Sequence, residues 1–146
     1  MLRTELLLSL GLSGYRNARF MVKVEMQDQG FIYDTQTVFI RSMGYYFPFP
    51  APPIQVLTAM KQSALLSRAK GRDFYDALFL LQRSDPCYAF LEKKLGIRSK
   101  EQLKASLFEL LEHTDLKKKQ QDFEHLLFDN RRSSSILFFG SFIEAW

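Results

Sequence analysis

Two hydropathy patterns divide the chain. Along Arg19 to Gln27 (RFMVKVEMQ), Phe20, Val22, Val24 and Met26 alternate with Arg19, Met21, Lys23 and Glu25, the two-residue period of a strand with one polar face. A second strand is expected over Thr35 to Ser42 (TQTVFIRS). The intervening DQGFIYD, with Gly30 suited to a turn, predicts an antiparallel pairing of the two. Next comes YYFPFPAPP, which reads as an extended, proline-punctuated linker, because proline fixes φ and donates no ladder bond. Beyond Pro53 the character is helical. Helices are expected over Ile54–Arg68 and Arg72–Arg83, with Gly71 as the break between them, and over PCYAFLEKKLGI, ending at Gly96. SKEQ (Ser99 to Gln102) is a capping box that opens a helix running to Glu112. Thr114 or Asp115 caps another through Phe128, and Ser133 to Ser135 lead into a last apolar helix near Trp146. A further short helix is expected at the start, Leu2 to Leu10, closed by Gly11.

Strands followed by helices give an α+β class: a small antiparallel sheet region over residues 1–53 and a helical bundle over 54–146. Two strands alone make a marginal sheet. More sheet is therefore expected, supplied by preceding residues or by a partner, and a homodimer through the exposed sheet edge is one form of it.

Composition narrows the class without fixing a function. The 146 residues are 47% hydrophobic and 25% charged, enough for one real core. Phe contributes 14 of the aromatics against one Trp, so most rings belong to packing. The net charge of +4 permits a nucleotide or RNA partner without requiring one. The single cysteine, Cys87, excludes an internal disulfide, fits a reducing compartment and reads as an apolar filler rather than a nucleophile. MLRTELLLSLGLSG lacks a small-residue cleavage site, and no apolar run reaches the length of a membrane span, so a cytoplasmic location is expected.

Candidate chemistry concentrates at SRAKGRDFYD, residues 67–76, where Arg68, Lys70 and Arg72 meet Asp73 and Asp76 at a helix junction. On an ideal helix Lys61, Arg68, Arg72, Tyr75 and Asp76 share one arc of about 100°. Two readings are open. In one, Lys61 with Arg68 or Arg72 holds nucleotide phosphates, for which the planar guanidinium fork is well suited, and the aspartates orient the arginines. In the other, an Arg–Asp network pins one helix to the next, with Arg72 buried against Asp73 or Asp76. The expectation by residue is that Lys61 serves the ligand and Arg72 serves stability. His113 and His125 lie far apart on different helices without nearby cysteine, which disfavours a metal site. The lysines of DLKKKQQDFEHLL read first as a solvated face.

VLTAMKQSALLSRAKGRDFYDALFLL resembles the signature of the AbiEii/AbiGii-type abortive-infection nucleotidyltransferase toxins, in which a Lys-bearing helix, a basic turn and an R-D-x-x-D element follow the catalytic sheet. Lys61, Arg68, Arg72, Asp73 and Asp76 match that pattern, and the resemblance covers residues 1 to about 85. NARFMVKVEM is similar to the strand bearing the family's third acidic residue, which implies a catalytic and partial metal-binding role for Glu25. The resemblance implies transfer of a nucleotide from an NTP, with Mg²⁺, to a tRNA, other RNA or protein acceptor. It also implies a Gly-Ser turn and an Asp-x-Asp or Asp-x-Glu strand, which this sequence does not present in that place. Its one Asp-x-Glu, DFE at 122–124, lies in a late helix. The expectation is an N-terminally incomplete member whose chain alone does not catalyse transfer, since two metal ions need more than one carboxylate. The alternative is a non-catalytic helical interaction module, or remnant, of a truncated toxin gene.

Overall fold

A computed structural model describes residues 11, 13–15, 28–42, 44–125 and 130–146. The chain forms two compact units, residues 1–30 and 31–146. The division thus falls after Gly30 rather than at Pro53, and the sheet belongs to the same unit as the helices. In the first unit the Gly30 amide donates to Asp28 Oδ1 at 2.7 Å. The expected helix Leu2–Leu10 and strand Arg19–Gln27 lie outside the described residues.

The second unit is α+β: an antiparallel hairpin followed by six α-helices among the described residues. Strand β1 (Gln36–Ser42) is the one expected, and it pairs with β2 (Tyr45–Ala51), where the sequence suggests a linker. The pairing runs from Gln36↔Ala51 to Ser42↔Tyr45 around a turn whose Gly44 sits at φ +83, a value that favours glycine. Ser42 and Tyr45 flank this two-residue turn and form the first bonded pair, so bonded pairs recur at Ile40–Phe47, Val38–Phe49 and Gln36–Ala51. Pro48 and Pro50 fall between them, opposite Phe39 and Thr37, where an amide would point away from β1. Neither proline interrupts the ladder. An edge strand tolerates proline at such positions.

The helices are α1 (Ile54–Arg68), α2 (Gly71–Leu81), α3 (Tyr88–Leu95), α4 (Lys100–Glu112), α5 (Leu116–Glu124) and α6 (Phe139–Ala145). Their ends follow local chemistry. Ser99 Oγ accepts from the Gln102 amide, and Gln102 Oε1 accepts from the Arg98 amide, so the box closes one residue earlier than the ideal motif. Asp115 Oδ1 accepts from the Lys117 and Lys118 amides and opens α5, and Gly96 closes α3. Instead of one last helix, a 3₁₀ segment (Asn130–Phe138) precedes α6. Three consecutive serines, which prefer caps and turns to helix interiors, begin that segment's inward run.

One apolar core joins these elements. Leu65 from α1, Phe74 and Ala77 from α2, Phe90 and Leu91 from α3, and Leu103 and Leu107 from α4 are fully buried with Ile136, Phe139 and Ile143. Phe74 meets Phe139 edge-on at 5.3 Å, and Phe31 meets Phe90 in the same way, which ties the residues before the hairpin to the helices. The apolar C-terminal stretch therefore packs inward. Cys87 is half-buried against the core, and its amide donates to Gln55 O at 2.9 Å, fixing the start of α3 on α1.

The α1–α2 junction departs from expectation in a way that matters below. The break lies at Ala69 and Lys70, while Gly71 is already the first residue of α2. Ala69 adopts the left-handed conformation, φ 47 and ψ 43, with its amide bonded to Leu65 O at 3.0 Å. An L-residue pays about 1–2 kcal/mol there, against a glycine flexibility cost of about 0.5–1 kcal/mol. We therefore expect Ala69→Gly to raise stability by roughly 0.5–1 kcal/mol. A lower urea midpoint would contradict this.

Candidate functional site

The charged side chains of the junction sort into two groups. Arg68, at the end of α1, grips Asp73 in the first turn of α2 through both nitrogens: Nε to Oδ2 at 2.8 Å and Nη2 to Oδ1 at 2.7 Å. Asp73 is fully buried, and its Oδ2 also accepts from the Lys70 amide at 3.2 Å, while Lys70 O accepts from the Asp73 amide. The hydrogen bond to Asp73 raises the Arg68 pKa above its ordinary value, so the guanidinium stays charged. One turn on, Lys61 Nζ bonds Asp76 Oδ2 at 2.7 Å, with both side chains about one-third exposed. Gln62, buried beside them, donates from Nε2 to Ala77 O. Both ion pairs thus cross from α1 to α2. Each cancels one cation with one carboxylate.

Lys70 and Arg72 remain. Both are exposed, and among the described residues neither makes an ion pair. This reverses the expectation by residue, in which Arg72 was the buried clamp: Arg68 has that place, and Arg72 is free. The cause is the position of the helix break. With the turn made at Ala69 and Lys70 and Gly71 already helical, Asp73 in the first turn of α2 meets Arg68 at the end of α1, and Arg72 is left exposed.

Lys70 and Arg72 line an open cleft of about 410 Å³ together with Gly71, Lys119, Asp122, Phe123 and His125. Lys61, Arg68, Asp73 and Asp76 are not among its lining residues. The cleft exists because α5 approaches α2 very closely. A Cβ on Gly71 would overlap the Lys119 carbonyl oxygen and press on the Phe123 ring. That contact, more than any demand for a helix break, explains the glycine. It also brings the half-buried Lys119 to the open end of α2, where the first amides of a helix lack helical acceptors. The result is four nitrogen-bearing side chains, from Lys70, Arg72, Lys119 and His125, around one carboxylate, Asp122, at a positive helix end. Such an arrangement favours an anion with several oxygens.

The sequence singled out Lys70 and Arg72 but not Lys119 or His125. Lys119 belongs to the lysines expected on a solvated face, where Lys117 and Lys118 do lie exposed, and His125 to the histidine pair whose separation disfavours a metal site. His113 is the C-cap of α4, away from the cleft. Of the DFE triplet, Phe123 is buried in the core and Asp122 borders the cleft.

The Mg²⁺ implied by the resemblance does not fit the carboxylates described. Asp73 and Asp76 are held by Arg68 and Lys61, Asp122 stands beside three basic side chains, and no group of three His, Cys, Asp or Glu is gathered for a metal among the described residues. Glu25 lies outside those residues. No helix among them is long and apolar enough to cross a membrane. Searches for relatives found no matching family model, curated protein or solved structure.

Proposed function

We propose that the helical unit binds the phosphates of a nucleotide at the α2–α5 cleft, as the nucleotide-holding part of a cytoplasmic nucleotidyltransferase-type toxin. One observation carries the reading. Once Arg68 and Lys61 are cancelled by their aspartates, the cations left at the junction converge on a single open cleft at a helix N-terminus. Arg72 can offer its fork to two phosphate oxygens, Lys70 and Lys119 act as point charges, and the α2 amides add donors. Lys61, Arg68, Asp73 and Asp76 then serve the ligand indirectly, by fixing the corner that presents Lys70 and Arg72. Transfer to a tRNA, other RNA or protein acceptor belongs to this reading only through Glu25 and the resemblance. The binding step stands on the cleft.

Calorimetric titration of the full chain with ATP and with inorganic triphosphate tests it. Both should bind, since the contacts are to phosphate, and the affinity should fall as salt screens the cleft. Arg72→Met and Lys119→Met should each weaken binding by roughly tenfold or more, the loss expected for a charge-assisted hydrogen bond. Lys61→Met should leave binding nearly intact. Absence of binding at millimolar triphosphate would sink the proposal, as would loss on Lys61→Met with retention on Arg72→Met.

A further inference from the structure

We propose that the cavity next to the α2–α5 cleft takes the adenine base of the same nucleotide, a step that rests on phosphate binding at the cleft. This cavity, about 250 Å³, is lined by Tyr75, Leu78 and Phe79 of α2, Gln82 just after it, and Ser135 of the 3₁₀ segment. Gly71, Tyr75, Leu78 and Gln82 recur at steps of four and three residues. Cleft and cavity therefore follow one another along one face of α2. One pair of rings stands between them. Phe123 lines the cleft, Tyr75 lines the cavity, and the two rings meet at 6.0 Å. From Arg72 to Phe79 the helix rises about 10 Å, a span that the ribose and first phosphates of a nucleotide cross.

The lining fits a flat heterocycle with a hydrogen-bonding edge. Buried Leu78 is the apolar floor, and Tyr75 and Phe79 supply two rings. Sites for whole drug-sized ligands run to about 300–1,000 Å³, so this cavity suits a single ring system rather than an entire nucleotide. Phe79 is 45% exposed on a helix that buries Phe74, Leu78, Leu80 and Leu81. Its ring is nonetheless held in place. The Arg83 guanidinium lies 3.4 Å from the ring centroid, and Arg83 Nη1 donates to Phe79 O. The cation covers one face of the ring and leaves the other for stacking. With the ring already held, binding a base orders little that was free.

Gln82 selects the base. It is exposed, and among the described residues its side chain makes no hydrogen bond, so the amide donor and acceptor are both open to a ligand. A carboxamide matches adenine, which presents the N6 donor beside the N7 acceptor. Guanine presents two acceptors, O6 and N7, along the same edge, and half of the amide then lacks a partner. Among the described residues no carboxylate or cation lines the cavity, as a neutral base requires. Charge stays with the phosphates, at Lys70, Arg72 and Lys119.

Calorimetry of the full chain with ATP, GTP and ribose 5-triphosphate, which keeps the phosphates and lacks the base, tests the assignment. ATP should bind about tenfold tighter than ribose triphosphate, the gain from one stacked base, and tighter than GTP. Phe79→Ala should bring ATP close to the affinity of ribose triphosphate, and Gln82→Ala should remove the margin over GTP. Neither variant should alter ribose triphosphate binding or the helical circular dichroism. Should Phe79→Ala misfold, Gln82→Ala, at an exposed position, decides alone. Ribose triphosphate binding with ATP no tighter overturns the adenine subsite and leaves phosphate binding at the cleft intact. Equal affinity for ATP and GTP, or an ATP margin that neither variant moves, overturns it in the same way. Adenosine, which carries no phosphate, separates the opposite case by saturation-transfer NMR. A transfer signal that Phe79→Ala abolishes, in a chain that fails to bind ribose triphosphate, supports the adenine subsite and sinks phosphate binding. A chain that binds neither adenosine nor ATP nor ribose triphosphate overturns both.

Discussion

Gly71→Ala is expected to lower the free energy of unfolding by about 3 kcal/mol, the upper end of what overpacking costs. The added methyl group meets the carbonyl oxygen of Lys119 and, behind it, the ring of Phe123. A flexible side chain can swing aside, but a backbone carbonyl within a helix cannot. Helix α5 must therefore shift as a body or α2 must tilt. Either movement opens the core around Phe123, which is 3% exposed. Working against this is the usual advantage of alanine over glycine in a helix, about 1 kcal/mol in an interior and less in a first turn. Gly140→Ala is the control. Its new Cβ would lie 3.7 Å from Leu111 Cδ1, an ordinary contact, so the substitution should be neutral or slightly stabilising. Urea midpoints at unchanged m-value give both numbers. If the two variants proved equally stable, the α2–α5 contact would not be as close as described. Because the same contact carries Lys119 to the cleft, Gly71→Ala should also weaken triphosphate binding in whatever fraction stays folded.

The second large effect belongs to Arg68. Arg68→Met leaves the Asp73 carboxylate, fully buried, with the Lys70 amide as its one remaining donor. Breaking a buried pair in this way costs about 3–5 kcal/mol. The Arg68 side chain is 45% exposed, so water can replace part of what is lost, and roughly 2–4 kcal/mol is the fitting expectation. Lys61→Met breaks a single-contact pair that is about one-third exposed on both sides and should cost about 1 kcal/mol or less. Arg72→Met removes a cation without a carboxylate partner and should leave stability nearly unchanged. Arg68→Lys keeps the charge but not the paired geometry and should fall between parent and Arg68→Met. The order Arg68, then Lys61, then Arg72 is what chemical denaturation must return. A larger loss at Arg72 than at Arg68 would mean that the two arginines have been assigned to each other's places.

These two expectations mark where the sequence was sufficient and where it was not. Helix α1 runs over Ile54–Arg68 as read, and Ser99, Asp115 and Gly96 each mark a helix end. Such features depend on residues within one turn of each other, so a linear reading reaches them. Strand β1 was legible for a similar reason. Its partner was not, because whether a proline breaks a strand depends on which side its missing amide faces. That side is set by the register with β1, and the register by the turn at Gly44.

The site divides along the same line. The sequence by itself determined the α+β class, the caps, and the gathering of arginine, lysine and aspartate between residues 67 and 76. It could not say which arginine pairs with Asp73. That depends on how the chain turns at Ala69 and Lys70 between α1 and α2, which sets the end of one helix against the first turn of the other. Nor could it bring Lys119 and His125 to Arg72. Their approach rests on a helix-to-helix contact, made across the bundle where only a residue without a side chain fits. Local preferences are set by neighbours along the chain. Charge pairing and cleft formation are set by distance in space, and only the packed helices decided them.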